Sequence, residues 1–485
     1  MKAVWHRGRR ERAPRPTMSD GLTLDELARR LDEAADHVSE WRSLGLIGRA
    51  DSDTFGPEDV ERARLIQALR RRGIELAAIV RADRDEAFLA RYVAGFGGVS
   101  GIYSLEETAG RLGMGVDTVR RLVEAAQLTD RQELLSDEDV EAFAGMKVAL
   151  EAGFPEEVLA QLLRVYVDAL GRVAEAENRL FHFYVHEPRR AQAMRVREAV
   201  EGGGGEPSLV PIWGAAASDR LIPLIEPAVR YFHRQAWRRA LTEDAIMHLE
   251  EYTGVRGDTD VPGRLRVAIV FVDLAGFTSL TDAMGDQAAA SVLERFGHIV
   301  RTSIGQWDGR IVKQIGDSFM VVFPAARPAV ACALEIERLV AREPQFAAVR
   351  SGVHCGPVLY QEGDYVGTSV NVAARLVAGA ERHQVLVTAA VRNEAGSLPN
   401  VEFVPLGRRR LRGLVDEVEL FAAVESDAGI AALRWIDPVC SMELTVDQVA
   451  ARLSLGGKEH VFCSQQCLQR FIAAPERYVP NAERA

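Results

Sequence analysis

Hydrophobic positions in the first half of the chain recur at helical spacing. Leu24, Leu27, Ala28 and Leu31 share one face, and a second helix is predicted from about Ala35 to Leu44. The stripe Leu159, Leu162, Leu163, Val165, Tyr166, Leu170 and Val173 predicts a long amphipathic helix, and Leu221 to Leu249 predicts another. Beyond Pro262 the period changes. Leu265 to Val272 is an unbroken, β-branched apolar run of strand length, and Arg310–Ile315 and Phe319–Phe323 read as two further strands joined in a hairpin. The expectation is a multidomain α+β chain with an all-α N-terminal half. No apolar run approaches the ~18 residues that a membrane helix requires.

Breaks in the pattern set the boundaries. Gly97-Gly98, the flexible stretch Gly202–Gly205, Pro262-Gly263 and the polar hinge Glu425–Gly429 divide the chain into segments 18–95, 99–154, 155–255, 262–425 and 432–481. Residues 1–17 carry six Lys/Arg against one Glu and no apolar stretch, which excludes a signal peptide; Met18 offers a second start that would leave this basic tail untranslated. The first two segments repeat each other. Leu24–Leu31 aligns on Leu105–Leu112, Asp36 and Val38 on Asp117 and Val119, and Glu58–Glu61 on Glu138–Glu141. Two short helices, a Gly-containing link and then Phe55-Gly56-Pro57 resemble the winged helix-turn-helix of MerR-type proteins, so tandem winged-helix-like repeats are expected. DNA binding is disfavoured by charge. The first copy presents Asp32, Glu33, Asp36 and Glu40, and in the second Arg120 and Arg121 lie among Glu106, Glu107, Asp117 and Glu124. A helix-turn-helix scaffold reused for protein contacts fits better.

Composition narrows the class. The chain has 485 residues, 59 Lys+Arg against 70 Asp+Glu and a net charge of -11, a poor balance for general phosphate-backbone binding. A hydrophobic content of 47% with 27% charged residues is ordinary for globular domains and excludes wholesale disorder. Five cysteines do not make a disulfide framework, and the reading is a cytoplasmic protein with no membrane partner.

The chemistry concentrates between 262 and 425. Asp273 ends the first strand and a Gly-containing turn follows; Asp317 sits at the tip of the second hairpin. Carboxylates at two strand ends suit a pair of divalent cations beside a phosphate chain. Phe271–Thr278, Lys313–Asp317 and Asp364–Arg375, in that order, resemble the class III nucleotidyl cyclase catalytic domain, with Arg412 and the strand Val418–Phe421 matching its end. The resemblance implies a ferredoxin-like βαββαβ domain that converts ATP to 3′,5′-cyclic AMP and pyrophosphate. It implies that Asp273 and Asp317 hold two Mg²⁺ (or Mn²⁺), that Arg375 stabilises the transition state and that Asn371 orients the ribose. Phe271, Leu274, Gly276, Phe277 and Thr278 would support the metal loop, and Arg412 is a candidate for the terminal phosphates. Lys313 can only donate and ionised Asp364 can only accept, which complements the edge of adenine and clashes with that of guanine. In the family each site is shared by two catalytic domains, so a chain with the full set is expected to form a head-to-tail homodimer.

Two regulatory features flank this domain. Segments 179–186 and 231–233 resemble the helical regulatory domain of pH-responsive actinobacterial adenylate cyclases, which makes His182, His186, His233 and His248 the candidate proton switch. The tail 432–481 resembles small Cys-rich α+β domains of the YHS/TRASH type. Cys440, Cys463 and Cys467, with His460 as a fourth donor, could hold Zn²⁺ or another soft cation. The competing reading is a ligand- or metal-responsive DNA-binding regulator that carries a relic cyclase domain.

Overall fold

A computed structural model describes residues 21–49, 51–94, 101–128, 134–189, 191, 192, 195, 215–253, 264–414, 416–426 and 435–478. The basic tail 1–17, the breaks Gly97-Gly98, Gly202–Gly205 and Pro262-Gly263, and most of the hinge Glu425–Gly429 lie outside the described residues. The chain divides into two compact units, Met1–Arg256 and Gly257–Ala485.

The first unit is helical, and its repeat is visible in the helix caps. Helix Leu24–Leu31 starts in a capping box: the Thr23 hydroxyl accepts from the Glu26 N–H, and the Glu26 carboxylate accepts from the Thr23 N–H. Ser104 and Glu107 do the same for Leu105–Leu112. In each copy a second helix follows (Ala35–Ser43, Val116–Ala125), then a third (Pro57–Arg71, Asp137–Glu151). One antiparallel bridge closes each copy, Leu22 to Phe55 and Tyr103 to Leu135; the described residues show this bridge where a winged fold would carry a hairpin. Leu27, Val38, Trp41 and Phe55 fill the first core, and Leu112, Val119, Leu122 and Phe143 the second. Helix Glu156–Phe181 contributes Leu159 and Leu163 to that second core and then widens into one π-helical turn, His182–His186. Helix Ala215–Tyr252 exposes Tyr231, Phe232, Trp237 and Leu241. No helix among the described residues is long and apolar enough to cross a membrane.

The second unit is built on strand β1 (Arg264–Leu274). It lies between β3 (Ser318–Phe323) and β5 (Val349–Gln361), antiparallel to both. The sheet runs β2 (Arg310–Ile315), β3, β1, β5, β7 (Val385–Thr388), β9 (Glu417–Glu425), β8 (Val401–Arg410), with β6 (Asp364–Val366) paired to β5. Both faces of β1 are covered, which is why its sequence is a continuous apolar run and not an alternation. Ala268, Val270 and Val272 pack with Phe296, Val330 and Ala333 from helices Asp286–Gln306 and Ala326–Val340. Ile269 and Phe271 face Ala373 and Val377 of helix Thr368–Gly379.

The C-terminal segment is not a separate bead. Strand β11 (Met442–Leu444) pairs with β10 (Trp435–Ile436) on one side and with β4 (Phe346–Ala347) on the other, so the tail extends the body of the unit by backbone hydrogen bonds. Hairpin β12 (Ala451–Leu455) and β13 (Lys458–Phe462) and helix Gln465–Ala473 complete it. Val439, Cys440, Met442, Phe462 and Phe471 belong to the same apolar cluster as β1 and β5. His383 clamps the junction, with Nδ1 2.7 Å from Glu337 and Nε2 2.7 Å from Glu443. Burial works against charging this imidazole, but the bonds to Glu337 and Glu443 outweigh it and push its pKa up from 6.5 to about 9. A group raised in the folded state stabilises fully below its unfolded pKa, and that contribution is lost as pH rises through the folded one. Thermal unfolding of the full chain should therefore show the tail junction weakening between pH 6.5 and about 9. His383→Gln should be less stable at pH 6.5 and should lose that part of the slope; an unchanged slope would show that His383 does not carry it.

Candidate active site and thiol cluster

Register brings the two acidic strand ends together. Asp273 is opposite Ser318 on β3, so Asp317, in the turn that Gly316 makes with φ +61°, arrives beside it. On the other side Asp273 is opposite Arg350 of β5, whose Nε and Nη2 donate to Asp273 Oδ2 at 2.9 and 2.6 Å. Two carboxylates at one point repel each other. Burial first, and then the Asp273 charge, push Asp317 up from 3.8 to about 6. A half-buried acid pair with a single guanidinium is short of positive charge, and its all-oxygen donors suit hard divalent cations. Arg350 is the residue that sequence reasoning missed. Its signal is a charge in an otherwise apolar strand, and only pairing across 77 residues reveals its role.

The loop after Asp273 is fixed from several sides. Leu274 and Phe271 are buried, and Ala275 N–H donates to Ala348 O at 2.7 Å. Gly276 takes φ +82° as the cap of helix Phe277–Met284, with Phe277 packed on the core and Thr278 exposed. A side chain at 276 has no room, since a Cβ there would lie 2.6 Å from Ser441 Cβ.

Lys313 of β2 and Asp364 of β6 form a direct ion pair. Asn371 and Arg375 sit one turn apart on helix Thr368–Gly379 and are both exposed. Arg412 follows β8 and is exposed as well. Among the described residues one chain thus joins Asp273 to Asp317 and Lys313 to Asp364, and leaves Asn371, Arg375 and Arg412 at its surface.

In the tail the sulfurs converge. Cys440 Sγ is 3.5 Å from Cys463 Sγ, which is 3.6 Å from Cys467 Sγ, and an Asp437 oxygen lies with them inside 4.8 Å. Tetrahedral arms of ~2.3 Å would set sulfurs about 3.8 Å apart, close to this spacing. Shared hydrogen bonds pull the Cys467 thiol down, from Cys440 first and then Cys463, while Cys440 and Cys463 are pushed up. His460 does not join it. Its ring packs on Phe471 at 5.0 Å, and Asp437 takes the place expected for it. The Asp437 carboxylate accepts the N–H groups of Val439 and Cys463, both at 2.8 Å, which a histidine on β13 could not do from its side of the hairpin.

The four histidines separate into two sets. His182 and His186 stack at 5.1 Å within the π-helical turn, with Glu187 at 3.5 and 3.7 Å. His233 and His248 lie on the exposed helix Ala215–Tyr252, where His248 bonds Asp244 O of its own helix at 2.8 Å. On the second helix of the second repeat, Arg120 pairs with Asp117 at 2.6 Å and Arg121 pairs with Glu156. That surface therefore offers phosphates little free positive charge.

The order of parts matches known proteins. Family models match for the adenylate and guanylate cyclase catalytic domain at 262–423, the YHS domain at 435–482, the adenylate cyclase regulatory domain at 56–195 and the MerR HTH family regulatory protein at 22–86. An uncharacterized protein of Mycobacterium tuberculosis is 32% identical over 71% of this chain and 86% of its own length. The chain belongs to the class III adenylate cyclases. A pH-sensitive adenylate cyclase of Mycobacterium tuberculosis is 27% identical over 80% of this chain and 93% of its own. An adenylate cyclase of Streptomyces coelicolor is 26% identical over 60% of this chain and 71% of its own. The acid pair is accordingly part of an adenylate cyclase catalytic domain.

The raised Asp317 carries a sign. Its carboxyl resists ionisation in the fold, so its charge costs stability as pH rises from 3.8 to about 6, and the whole cost is present above that. Asp317→Asn should stabilise the metal-free cyclase above pH 6 by about 1 kcal/mol, allowing for partial solvation, and should gain nothing below pH 4. Saturating Mg²⁺ should cancel the gain. Denaturant unfolding at both pH values checks this, and equal stability of the two proteins above pH 6 would contradict the repulsion.

Proposed function

We propose that this adenylate cyclase converts ATP to 3′,5′-cyclic AMP and pyrophosphate at two equivalent sites, each shared by two chains packed head to tail. The observation that carries the reading is the split of the functional set: the acid pair is assembled within one chain, whereas Asn371 and Arg375 face outward from it. Divalent cations held by Asp273 and Asp317 would activate the ribose 3′-hydroxyl and neutralise the triphosphate. Asn371 of the second chain orients the ribose for attack on the α-phosphorus. Arg375 offers a fixed cation to the oxygens on which charge builds up as pyrophosphate leaves, and Arg412 meets the terminal phosphates. Arg350 keeps Asp273 aimed along β1. Lys313 and Asp364 opened around adenine give it one donor and one acceptor, and guanine meets both with the wrong partner.

A shared site makes a quantitative demand. Asp273→Ala and Arg375→Ala should each be inactive, yet an equimolar mixture should recover about a quarter of wild-type cyclic AMP production, because half of the dimers are mixed and one of their two sites is whole. No recovery would refute the shared site.

Regulation is read at two places. The stacked pair His182 and His186 beside Glu187 is a proton switch: imidazole is the side chain whose charge changes nearest neutral pH, and the π-helical turn that carries the pair is a weak point in the helix. A relative named for pH sensitivity supports the reading. His233 and His248 are then secondary to this pair. The tail cluster Cys440, Cys463, Cys467 and Asp437 takes a soft cation such as Zn²⁺, its three sulfurs being the donors such an ion prefers. Cyclic nucleotide production from ATP and from GTP between about pH 5.5 and 8.5 tests switch and substrate together. ATP should lead by about a hundredfold throughout, and His186→Phe should flatten the pH profile. A wild-type slope retained in His186→Phe would discard the switch.

A further inference from the structure

The thiol cluster is built into the wall of the catalytic metal loop. Cys440 is followed by Ser441, a non-glycine residue held at φ +63°. Ser441 N–H donates to Asp437 O at 2.9 Å, and Asp437 N–H donates to Met442 O at 2.9 Å, so 437–442 is one closed turn that cannot move piecemeal. The outer edge of this turn is Ser441. It occupies the space that a side chain at Gly276 would need, three residues after the catalytic Asp273. Arg382 closes the same contact: its Nη1 donates to Ser441 O at 3.1 Å, and its Nη2 lies 3.2 Å from where a Gly276 Cβ would be. Arg382 also feels Glu443 and the Asp273 partner, Arg350. Helix Phe277–Met284, which the loop enters, is tied to the tail at its other end, where Arg470 donates to Asp282 O at 2.7 Å.

We propose that a soft cation held by Cys440, Cys463, Cys467 and Asp437 sets the position of the Asp273–Gly276 loop through Ser441 and Arg382, and so sets how well the cyclase binds its catalytic Mg²⁺. The inference rests on the reading of the four-ligand group as a soft-cation site. A cation that ties Cys440 to Cys463 and Cys467 fixes the 437–442 turn on two further elements, β13 and the helix Gln465–Ala473. Ser441 then stays against Gly276, and the loop keeps the geometry in which Asp273 lies beside Asp317. Without the cation the turn keeps its apolar packing and hydrogen bonds but loses the tie through sulfur to Cys463 and Cys467, and Ser441 and the loop against it can shift relative to Asp317.

The test uses the full-length protein and reads binding and activity separately. Co²⁺ is added as a probe and its thiolate charge-transfer absorption is followed; cyclic AMP production is then titrated with Mg²⁺, before and after a chelator that takes soft cations but not Mg²⁺, and again after Zn²⁺ is restored. The expected result is a Co²⁺ band in the wild type that Cys463→Ser lacks, and a rise of about threefold or more in the Mg²⁺ needed for half activity on stripping, reversed by Zn²⁺. Arg382→Leu should keep the band and lose the response. A band with identical Mg²⁺ curves before and after stripping would overturn the coupling and leave the soft-cation reading intact. Absence of the band from the wild type would remove that reading and the coupling with it. A Zn²⁺ effect of equal size in Cys463→Ser would mean that zinc acts at the catalytic carboxylates, and would also overturn the proposal.

Discussion

Two carboxylates placed side by side at the end of a buried strand are the constraint around which the catalytic unit is organised. Such a pair resists burial, and Asp317 registers this in a carboxyl pushed up to about 6. Three features hold it in place. Antiparallel pairing on both sides of β1 fixes where the chain must put Asp273 and Asp317. Arg350, opposite Asp273 on β5, supplies one compensating charge. The remaining deficit of positive charge leaves an all-oxygen pair whose donors suit hard divalent cations. The apolar packing on both faces of β1 makes this affordable, because a strand so well buried does not yield to the repulsion at its end.

Much of this was readable in the residues. Asp273, Asp317, Lys313, Asp364, Asn371 and Arg375 are all visible in sequence because each sits in a short local pattern of strand end, turn or helix face. What escaped notice depends on distant partners. Arg350 looks like an interruption of a strand until β5 is laid against β1. His460 reads in sequence as a fourth donor because it is three residues from Cys463, but alternation along β13 sends its ring to Phe471. Asp437, three residues before Cys440, has the closer carboxylate, and a buried Asp before a Pro-Val-Cys run is the signal that was there to find. The pairing of β11 with β4 has no local signal at all, since strands of three and two residues carry no periodicity.

The N-terminal repeats show the opposite balance. Their helix starts are written locally, as Thr23 with Glu26 and Ser104 with Glu107, and the alignment of the two copies is enough to anticipate matching caps. On the second repeat, Arg120 and Arg121 are paired with Asp117 and Glu156, partners that the charge pattern alone does not specify. The hairpin implied by the winged-helix likeness is another matter. Among the described residues one bridge per copy joins the ends of each small core, and Phe55 and Leu135 bring their bulk in at the bridge itself.

Gly276 shows why the tail and the catalytic loop are best treated as one object. A glycine there answers two demands at once. The backbone turns with φ +82° to start helix Phe277–Met284, which a glycine tolerates and most residues resist. The absent side chain also leaves the space that Ser441 fills. The first demand belongs to the catalytic domain alone, and an asparagine could meet it at modest cost. The second exists only because the tail is docked, and no side chain meets it. Shape complementarity at one glycine therefore links the loop after Asp273, whose oxygen donors suit hard cations, to a turn whose sulfurs suit soft ones. Ions of different chemistry can act on the same few ångströms of backbone without competing for ligands.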